Sequence, residues 1–443
     1  MRCHYEGHGG FTFLRRLHGG LALLLSALLL SACGTGGNPS DDGQVLKSDK
    51  ERISEPQVTP DQIAELADGN NAFALEFYQR MCQDSDGNVF VSPYSISLAL
   101  AMTFSGARGD TAQAMVDVMH YTLGQDGLHP AFDWLDLELQ SRADPPDEYA
   151  DDGFKLRITN AVWGQTGYPF LAPFLDVLAQ YYGAGLRLCD FSADPDQCRL
   201  TINDWVAKQT MDKIKDLLPP NSLDTLTRMV LTNAIYFKAA WNSPFELEDT
   251  TAGEFSLAGG SGVSVQMMNQ VEDFYYSEGA NYQAVELPYD GEQLSMLVIV
   301  PRPGQFETFD SQQFDTGMLG QIIAGLEYKL VTLSLPKFSF DFGGSIKAAL
   351  ADLGMGVAFS ASQADFSGMT DAEQLYIGDV IHKAFVAVDE AGTEAAAATA
   401  VIMSGTGMPD EVTLTVDRPF IFLIRDNPTG TILFIGRVLD PSA

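Results

Sequence analysis

The spacing of apolar and polar residues changes along the chain, from helical patterns in the first half to strand patterns towards the C-terminus. Thr59 followed by Pro60 predicts a helix start, because threonine caps a helix and proline suits its first turn. Residues 229–238 are almost continuously apolar, which is typical of a strand covered on both faces. Residues 330–342 alternate apolar and polar side chains, as expected of a strand. The pattern therefore predicts an α+β fold with large sheets.

Capping and turn residues place further boundaries. Ser92 and the proline after it predict a helix directly after a short strand that ends at Val91. Another helix start is predicted at Asn70 or Asn71. Two apolar runs within residues 284–301 surround Tyr-Asp-Gly, which predicts a hairpin. Further strands are predicted over residues 375–388, 411–425 and 431–439.

The N-terminus carries a targeting pattern. Arg15 and Arg16 precede a Leu- and Ala-rich run at 17–30, which is too short for a good membrane span. The run leads into L-S-A-C, which resembles the bacterial lipobox, so we expect residues 1–32 to be a signal peptide and Cys33 to receive lipid. The alternative is an ordinary signal peptide with a chance cysteine.

The residues after the predicted cut, 33–56, are rich in Gly, Ser, Asp and Lys and hold few apolar side chains. Such a composition predicts a flexible tether. Lipid at Cys33 would hold the chain to a membrane, since each buried CH₂ contributes about 0.8 kcal/mol. We expect a secreted, membrane-anchored lipoprotein, at the cell surface or in the periplasm.

The charge balance is strongly acidic. There are 26 Lys and Arg against 59 Asp and Glu, a formal net charge of −33. This charge argues against nucleic acid or an anionic membrane as the partner of the folded part, and it favours solubility.

Three cysteines remain in the predicted mature chain besides Cys33. Cys189 and Cys198 close a short loop, so they are the preferred disulfide pair in an oxidising compartment, which leaves Cys82 as a lone thiol. The spacing of the three does not fit a zinc site. We expect no metal and no cofactor.

Catalytic motifs are absent from the sequence. It contains no G-x-S-x-G, P-loop, G-x-G-x-x-G or H-E-x-x-H pattern. His382 lies in an apolar run, which is typical of a buried histidine with satisfied hydrogen bonds rather than of a catalytic base. An enzyme is therefore not expected.

Ordered motifs from about Asp61 to Pro441 resemble the serpin family of serine protease inhibitors. They are N-V-F-V-S-P-Y-S-I at 88–96, I-N-D-W-V at 202–206, L-T-N-A-I-Y-F-K-A-A-W at 231–241, L-P-K-F at 335–338, I-H-K-A at 381–384, D-E-A-G-T-E-A-A-A-A at 389–398 and D-R-P-F-I-F-L-I at 417–424. The resemblance implies one domain over residues 57–443, with three β-sheets, about nine helices and an exposed reactive loop at about 390–410.

The mechanism implied by the resemblance is suicide inhibition. A serine-type protease cleaves the loop, and the cut loop inserts into the main sheet before the acyl-enzyme is hydrolysed. The partner would be that protease, and the inhibitor would be a monomer. The alternative is a non-inhibitory binding protein with the same fold.

The resemblance assigns a hinge at the start of the loop. Its residues are Glu390, Gly392, Thr393, Glu394, Ala395, Ala396, Ala397 and Ala398. By the family's register, the side chains that would point into the core after insertion are those of Thr393, Ala395, Ala397, Thr399 and Val401. The single charge, Glu394, falls on the outward face, where it does not oppose insertion. Taken alone, the alanine run would instead predict a helix.

The bond that the protease attacks is placed by residue counting from both ends of the loop. Both counts give Thr406-Gly407, and Met403-Ser404 is the alternative. No Arg or Lys lies between Ile402 and Pro409, so a trypsin-like target is not expected. The uncharged residues suit elastase-like or subtilisin-like proteases, with a cysteine protease as a further candidate.

Two groups of residues are assigned to control of the loop by resemblance. A polar cluster beneath the opening sheet comprises Ser92, Ser95, Asn233 and His382. Lys337 and Glu390 would form an ion pair where the loop joins the sheet, with Trp241 packed nearby. For His382 the alternative is a solvent-facing strand residue.

Overall fold

The computed structural model describes residues 44–142, 155–372, 374–393 and 411–443. The predicted signal peptide at 1–32, Cys33 and the predicted tether up to residue 43 lie outside these ranges. The part of the chain that is described contains no helix with the length and apolarity needed to cross a bilayer.

Within these ranges the chain forms nine α-helices. They are α1 (Pro60–Gln83), α2 (Pro93–Phe104), α3 (Gly109–Met119), α4 (Gly124–Ser141), α5 (Ala172–Tyr182), α6 (Pro195–Gln209), α7 (Phe306–Thr308), α8 (Thr316–Ala324) and α9 (Lys347–Asp352).

Sixteen strands accompany the helices. They are β1 (Gln44–Leu46), β2 (Val89–Val91), β3 (Lys155–Gln165), β4 (Leu186–Cys189), β5 (Met229–Ala240), β6 (Thr251–Ser256), β7 (Gly262–Glu278), β8 (Tyr282–Pro288), β9 (Leu294–Pro301), β10 (Glu327–Pro336), β11 (Phe338–Ser345), β12 (Asp379–Asp389), β13 (Gly392–Thr393), β14 (Glu411–Thr415), β15 (Phe420–Asp426) and β16 (Ile432–Val438).

The strands form two large sheets. One has seven strands in the order β1-β4-β3-β5-β13-β12-β11, and β5 also pairs directly with β12. The other has the order β14-β10-β7-β8-β9-β15-β16-β2, with β6 paired to β7. The long β7 pairs with β6 over 262–267, with β10 over 267–276 and with β8 over 275–278, and β14 pairs with β10. Strands β6, β7, β10 and β14 form a minor sheet. The predicted α+β class with a third, minor sheet is therefore confirmed.

Helix α2 lies in the core between the sheets, and every one of its residues is buried. The predicted start is confirmed, because Ser92 Oγ accepts a hydrogen bond from the Ser95 N–H at 3.3 Å. Just before it, Phe90 stacks on Phe434 with ring centroids 5.1 Å apart. Asn233 Nδ2 of β5 donates to Ser95 Oγ of α2 at 2.6 Å, which fixes α2 beneath the seven-stranded sheet.

Helix α6 packs with a separate apolar cluster that includes Trp163, Trp205 and Ile381. The predicted disulfide is confirmed, since Cys189 at the end of β4 is bonded to Cys198 on α6. Cys82 forms no disulfide.

The predicted helix start at Asn70 or Asn71 is wrong, because α1 runs through both residues without a break. Asn71 instead uses its side chain in tertiary contacts. Its Nδ2 donates to the Gly430 carbonyl at 2.9 Å, and its Oδ1 accepts from the Ile432 N–H at 2.8 Å. A polar side chain that looks like a cap in the sequence thus ties α1 to the turn before β16.

The segment that leads into α1 also differs from the prediction, which made residues 33–56 a flexible tether. Residues 44–53, here called the N-terminal strap, lie on the folded body. Its strand β1 pairs antiparallel with β4 at the edge of the seven-stranded sheet. The Ile53 N–H donates to the Gln180 carbonyl of α5 at 2.8 Å. The flexible-tether prediction therefore does not hold for this part of the segment.

Charge pairs complete the attachment of the N-terminal strap. Arg52 Nε lies 2.8 Å from Asp133 Oδ1 and its Nη2 lies 2.6 Å from Asp136 Oδ2, both on α4. Lys50 Nζ lies 3.1 Å from Asp176 Oδ2 on α5. The strap therefore contacts β4, α4 and α5 together.

Candidate functional site: the opening of the seven-stranded sheet

The seven-stranded sheet separates at one end, between β5 and β12. The two strands pair in parallel from Val230 and Asp379 up to Tyr236 and Phe385. Beyond that point β13 lies between them, antiparallel to both. We call this gap, with β13 in it, the sheet opening. The first residues of the predicted loop are thus already part of the sheet.

Gly392 occupies a position that excludes a side chain. Its φ is +150°, a conformation that residues with a Cβ rarely adopt. A Cβ built there would lie 2.1 Å from the Ala239 carbonyl oxygen. Glycine therefore allows the chain to approach β5 closely and to turn into the sheet.

Thr393 follows on the inner side of the sheet and is only 1% exposed. Its Oγ1 lies 2.8 Å from the Tyr289 hydroxyl, in a hydrogen bond between two buried groups. The side chain thus points into the core, as the register predicted for this position.

Trp241 holds the turn between β12 and β13. Its indole N–H donates to the Asp389 carbonyl at 3.0 Å, and its backbone N–H donates to the Ala391 carbonyl at 2.9 Å. Its ring stacks on Tyr289, with centroids 4.7 Å apart and an angle of 7° between planes. The two rings form a rigid support for Thr393.

Glu390 anchors the same turn from the other side. Its Oε2 lies 2.6 Å from Lys337 Nζ, and its Oε1 accepts from the Thr250 hydroxyl at 2.8 Å. Burial alone would raise the pKa of Glu390, but hydrogen bonds from Lys337, a backbone N–H and Thr250, with the charge of Lys337, together outweigh burial and lower it. The carboxylate is therefore held ionised. Because Lys337 is partly exposed, solvent screening keeps the contribution of this pair modest.

The polar cluster lies about 20 Å from Thr393 along β5, at the level of Asn233. His382 is its centre, and its Nδ1 is hydrogen-bonded to Asn233 Oδ1. The Ser92 N–H donates to His382 Nε2 at 3.2 Å. Asn233 Nδ2 donates to Ser95 Oγ at 2.6 Å. The four predicted residues therefore form one network beneath β5 and β12.

These contacts define the tautomer and the charge of the His382 ring. Because Nε2 accepts from a backbone N–H, the proton of the neutral ring is on Nδ1, which donates to Asn233. Burial lowers the pKa of His382 to about 3, so the ring is neutral at physiological pH. The alternative of a solvent-facing histidine is wrong, since the residue is fully buried.

Three residues at these sites were missed in the sequence. Asn160 on β3 accepts from Asn233 Nδ2 at 2.6 Å and extends the polar cluster to a third strand. Tyr289 and Thr250 contact the hinge. Asn160 could have been suspected as a polar residue inside a strand, whereas Tyr289 looked only like part of a hairpin turn.

The rest of the predicted loop lies outside the described residues. This applies to Glu394, Ala395, Ala396, Ala397, Ala398 and both candidate bonds, Thr406-Gly407 and Met403-Ser404. Across the described ranges, no three His, Cys, Asp or Glu side chains are grouped so as to hold a metal ion.

Comparisons with known proteins identify the family. The profile described as Serpin (serine protease inhibitor) matches residues 68–441. The chain is a serpin. An uncharacterised serpin-like protein of Thermococcus kodakarensis is 39% identical over 408 residues, which cover 91% of each chain. Leukocyte elastase inhibitor of Homo sapiens is 36% identical over 388 residues, covering 86% of this chain and 100% of that protein.

A solved structure of the family has the same architecture. The native state of tengpin, a thermophilic serpin, aligns with a TM-score of 0.78 at 29% identity, covering 90% of this chain and 100% of that one. Serpins as a family are protease inhibitors rather than enzymes. In this serpin the sheet opening is formed by the pairing of β13 with β5 and β12, and the polar cluster contains a neutral histidine.

Proposed function

We propose that this serpin inhibits serine-type endopeptidases as a suicide substrate, with insertion of the cleaved loop trapping the acyl-enzyme. The observation that supports this most directly is β13. Gly392 and Thr393 already pair with β5 on one side and β12 on the other. Insertion would lengthen a strand that has begun, which avoids the cost of starting a new one.

The register of β13 defines the path of insertion. Six residues beyond Thr393, the same pairing brings Thr399 opposite Asn233 on β5 and opposite His382 on β12. These two residues are at present paired with each other. Insertion would therefore separate the polar cluster, and the Thr399 hydroxyl would arrive on its side of the sheet. The hydrogen bonds of the polar cluster would therefore hold β5 and β12 together and oppose insertion.

The free energy available is large enough for trapping. Serpin loop insertion is itself an established case of strand addition to a sheet. A strand of ~10–12 residues with neighbours on both sides gains on the order of 20 hydrogen bonds, at ~0.5–1.5 kcal/mol net each. The total of roughly 10–30 kcal/mol is comparable to or larger than the ~5–15 kcal/mol that stabilises an ordinary domain. Part of a bound protease could therefore be distorted.

For the target, we propose an elastase-like or subtilisin-like protease that attacks Thr406-Gly407, with Met403-Ser404 as the alternative bond. Neither candidate bond carries a basic residue. The similarity to leukocyte elastase inhibitor supports a target that prefers small or medium uncharged residues. A cysteine protease is the further candidate.

For location, we propose a monomeric lipoprotein held outside the cytoplasm by lipid on Cys33 after removal of residues 1–32. The support is the lipobox-like L-S-A-C sequence after a basic and apolar run. The disulfide between Cys189 and Cys198 fits an oxidising compartment. Metabolic labelling with palmitate, compared between the wild type and Cys33→Ser, tests this; equal labelling would contradict it.

The trapping mechanism is tested by incubating the protein with a panel of serine proteases and running a denaturing gel. We expect a covalent complex that resists SDS. Thr393→Arg should convert the inhibitor into a substrate, because the buried position would receive a charge. Glu394→Arg is the matched control, since the register places this residue on the outward face. Two fragments without any complex would instead favour the non-inhibitory binding protein.

A further inference from the structure

The N-terminal strap fixes the place at which the chain enters the folded body. Gln44, its first residue, pairs with Leu188 of β4. Through the registers of β4 with β3 and of β3 with β5, this pair is level with Met229, the first residue of β5. Strand β1 also runs in the same direction as β5, so the chain before Gln44 reaches the sheet from beyond the start of β5. We call this end of the seven-stranded sheet the entry end.

The predicted loop leaves the body at the opposite end of the same sheet. Strand β13 pairs with Ala239 and Ala240, the last residues of β5. Ala239 is ten residues after Met229, a distance of about 33 Å at ~3.3 Å per residue. We call the end at Ala239 and Ala240 the loop end. An anchor on the N-terminal side of the strap and the loop are therefore attached at opposite ends of one sheet.

Two glycines between α5 and β4 allow the strap to lie directly on the body. A Cβ at Gly185 would lie 2.6 Å from Lys47 Cγ and 2.9 Å from the Leu46 carbonyl oxygen. A Cβ at Gly183 would lie 3.0 Å from Arg52 Cδ. Because one of the atoms that Gly185 approaches belongs to the backbone, a larger residue at this position would have to displace the strap itself. These close contacts add to the strand pairing and the ion pairs.

The strap determines how much chain is left between the body and an anchor at Cys33. Gln44 is 11 residues after Cys33, so this stretch reaches at most about 40 Å when fully extended. Pro60, where α1 begins, is 27 residues after Cys33, so a released strap would extend the reach to about 95 Å. A compact body of about 400 residues has a radius of gyration of about 21 Å, and thus a diameter of about 55 Å.

These lengths decide which orientations a membrane-held chain can adopt. The loop end can face the bilayer only when the entry end is about one body diameter away from it. A chain with a reach of about 40 Å cannot cross that distance, whereas one with a reach of about 95 Å can. We propose that the docked N-terminal strap orients the membrane-held serpin, with the entry end towards the lipid and the loop end away from it. The partner that this orientation favours is a protease in the surrounding fluid, rather than one embedded in the same membrane.

This proposal rests on the proposed lipid anchor at Cys33, and it deepens the proposed function by stating where the target protease is. Release of the strap would remove the restriction, because the longer chain would allow the body to turn over. Orientation therefore depends on the contacts that hold the strap, at Gly185, Asp133 and Asp176.

The test couples residues 33–443 to vesicles through the thiol of Cys33 and measures which end of the sheet approaches the lipid. The vesicles contain phosphatidylcholine, a maleimide lipid and a quencher lipid, and Cys82→Ser leaves Cys33 as the only free thiol. p-Azidophenylalanine carries the fluorophore and replaces either Thr225, exposed near the entry end, or Glu246, exposed near the loop end. We expect at least ~3-fold stronger quenching at position 225, because the short reach of the chain keeps position 246 away from the lipid.

Two variants should abolish this difference. A Gly-Ser linker of ~20 residues inserted directly after Cys33 adds up to about 70 Å of reach and leaves the strap docked. Gly185→Val displaces the strap, and hydrogen exchange of residues 44–53 reports its release. In both variants the quenching ratio should fall to about 1, because the longer chain lets either end approach the lipid. Gly259→Val is the matched control and should keep the wild-type ratio, since a Cβ there meets no atom within 4 Å.

Equal quenching at the two positions in the wild type would overturn the proposal. An undiminished ratio in the linker variant would also overturn it, because orientation would then come from contact of the body with lipid. A ratio that persists in Gly185→Val after hydrogen exchange has shown release would exclude the strap as the cause. The quenching measurement involves neither a protease nor lipidation in the cell. The denaturing gel and palmitate labelling therefore test the proposed function separately, and either can fail without changing the quenching ratio.

Discussion

At the scale of single residues, the sheet opening depends on a few close contacts that leave little freedom. Gly392 lies where a Cβ would meet the Ala239 carbonyl, and Thr393 is bonded to Tyr289 in the core. Tyr289 in turn stacks on Trp241. This hydrogen bond and this ring stack hold the hinge in its starting position together with the backbone pairing of β13.

The hydrogen bond between Tyr289 and Thr393 can be tested alone. Tyr289→Phe keeps the ring but leaves the buried Thr393 hydroxyl unpaired, so we expect a loss of ~1–2 kcal/mol in stability. Urea-induced unfolding followed by intrinsic fluorescence measures it. Tyr328→Phe, which alters an exposed hydroxyl, should change stability by less than ~0.5 kcal/mol. Equal effects of the two variants would show that the hydrogen bond does not hold the hinge.

The buried histidine predicts a pH dependence. Burial lowers the pKa of His382 to about 3, whereas the unfolded chain has an ordinary value near 6.5. The unfolded state therefore takes up the proton first, so this contribution to stability is complete above pH ~6.5 and is lost as pH falls towards 3.

His382→Gln should accordingly lose less thermal stability than the wild type between pH 7 and pH 4. Burial also lowers the pKa of His129, to about 4. Because the wild type and His382→Gln both contain His129, it does not affect the comparison. Parallel melting curves for His382→Gln and the wild type would contradict the assignment.

The sequence predicted only some of the residues at the sheet opening and in the polar cluster. Gly392, Lys337 and Trp241 belong to motifs that resemble the family, and the structure brings them to one opening. Asn160 and Tyr289 were missed because each acts through a partner far along the chain, which no local pattern reports. Contacts across strands depend on sheet order, and residue spacing alone does not supply that order.

At the scale of elements, the N-terminal strap shows where composition misleads. Few apolar residues in this segment predicted a flexible tether. The strap is instead held by backbone pairing of β1 with β4 and by ion pairs to α4 and α5. Neither kind of contact requires apolar side chains, so the hydrophobicity of the segment could not predict its attachment to the folded body.

The attachment of the N-terminal strap should depend strongly on Arg52. Asp133 is fully buried, and Arg52 Nε is 2.8 Å from its Oδ1. Removing the cation leaves a buried carboxylate unpaired, so Arg52→Ala should lower stability by about 3 kcal/mol. Lys50→Ala breaks an exposed pair with Asp176 and should cost less than ~1 kcal/mol. Thermal unfolding of both variants makes the comparison.

The pH dependence of Arg52→Ala gives a second readout. Burial already raises the pKa of Asp133 to about 6, and loss of Arg52 would raise it further. Protonation of this carboxyl removes the buried charge, so the deficit of the variant should shrink between pH 7.5 and pH 5.5. A deficit independent of pH would show that Arg52 acts through packing of its side chain instead.

At the scale of the whole molecule, the native fold leaves a gap in its seven-stranded sheet. Strands β5 and β12 are neighbours over one part of their length and separated by two residues of β13 over another. Full pairing would require the segment after Thr393 to pass between Asn233 and His382. From Ala395 to Ala400 that segment consists of five alanines and one threonine, which fit closely spaced strands.

Cutting the loop should therefore make this serpin more stable. Once the loop is free at one end, insertion adds roughly 10–30 kcal/mol of hydrogen bonding, and the melting temperature should rise by roughly 10–40 °C. Limited proteolysis within residues 402–409 followed by calorimetry measures the change. Ala397→Arg, cut at the same bond, should gain little, because by the register a charge would have to enter the core on insertion, whereas Thr393 is already buried before cleavage. If the cleaved and the intact wild type have the same melting temperature, the gap is not the site of insertion, and the function of this chain lies in binding alone.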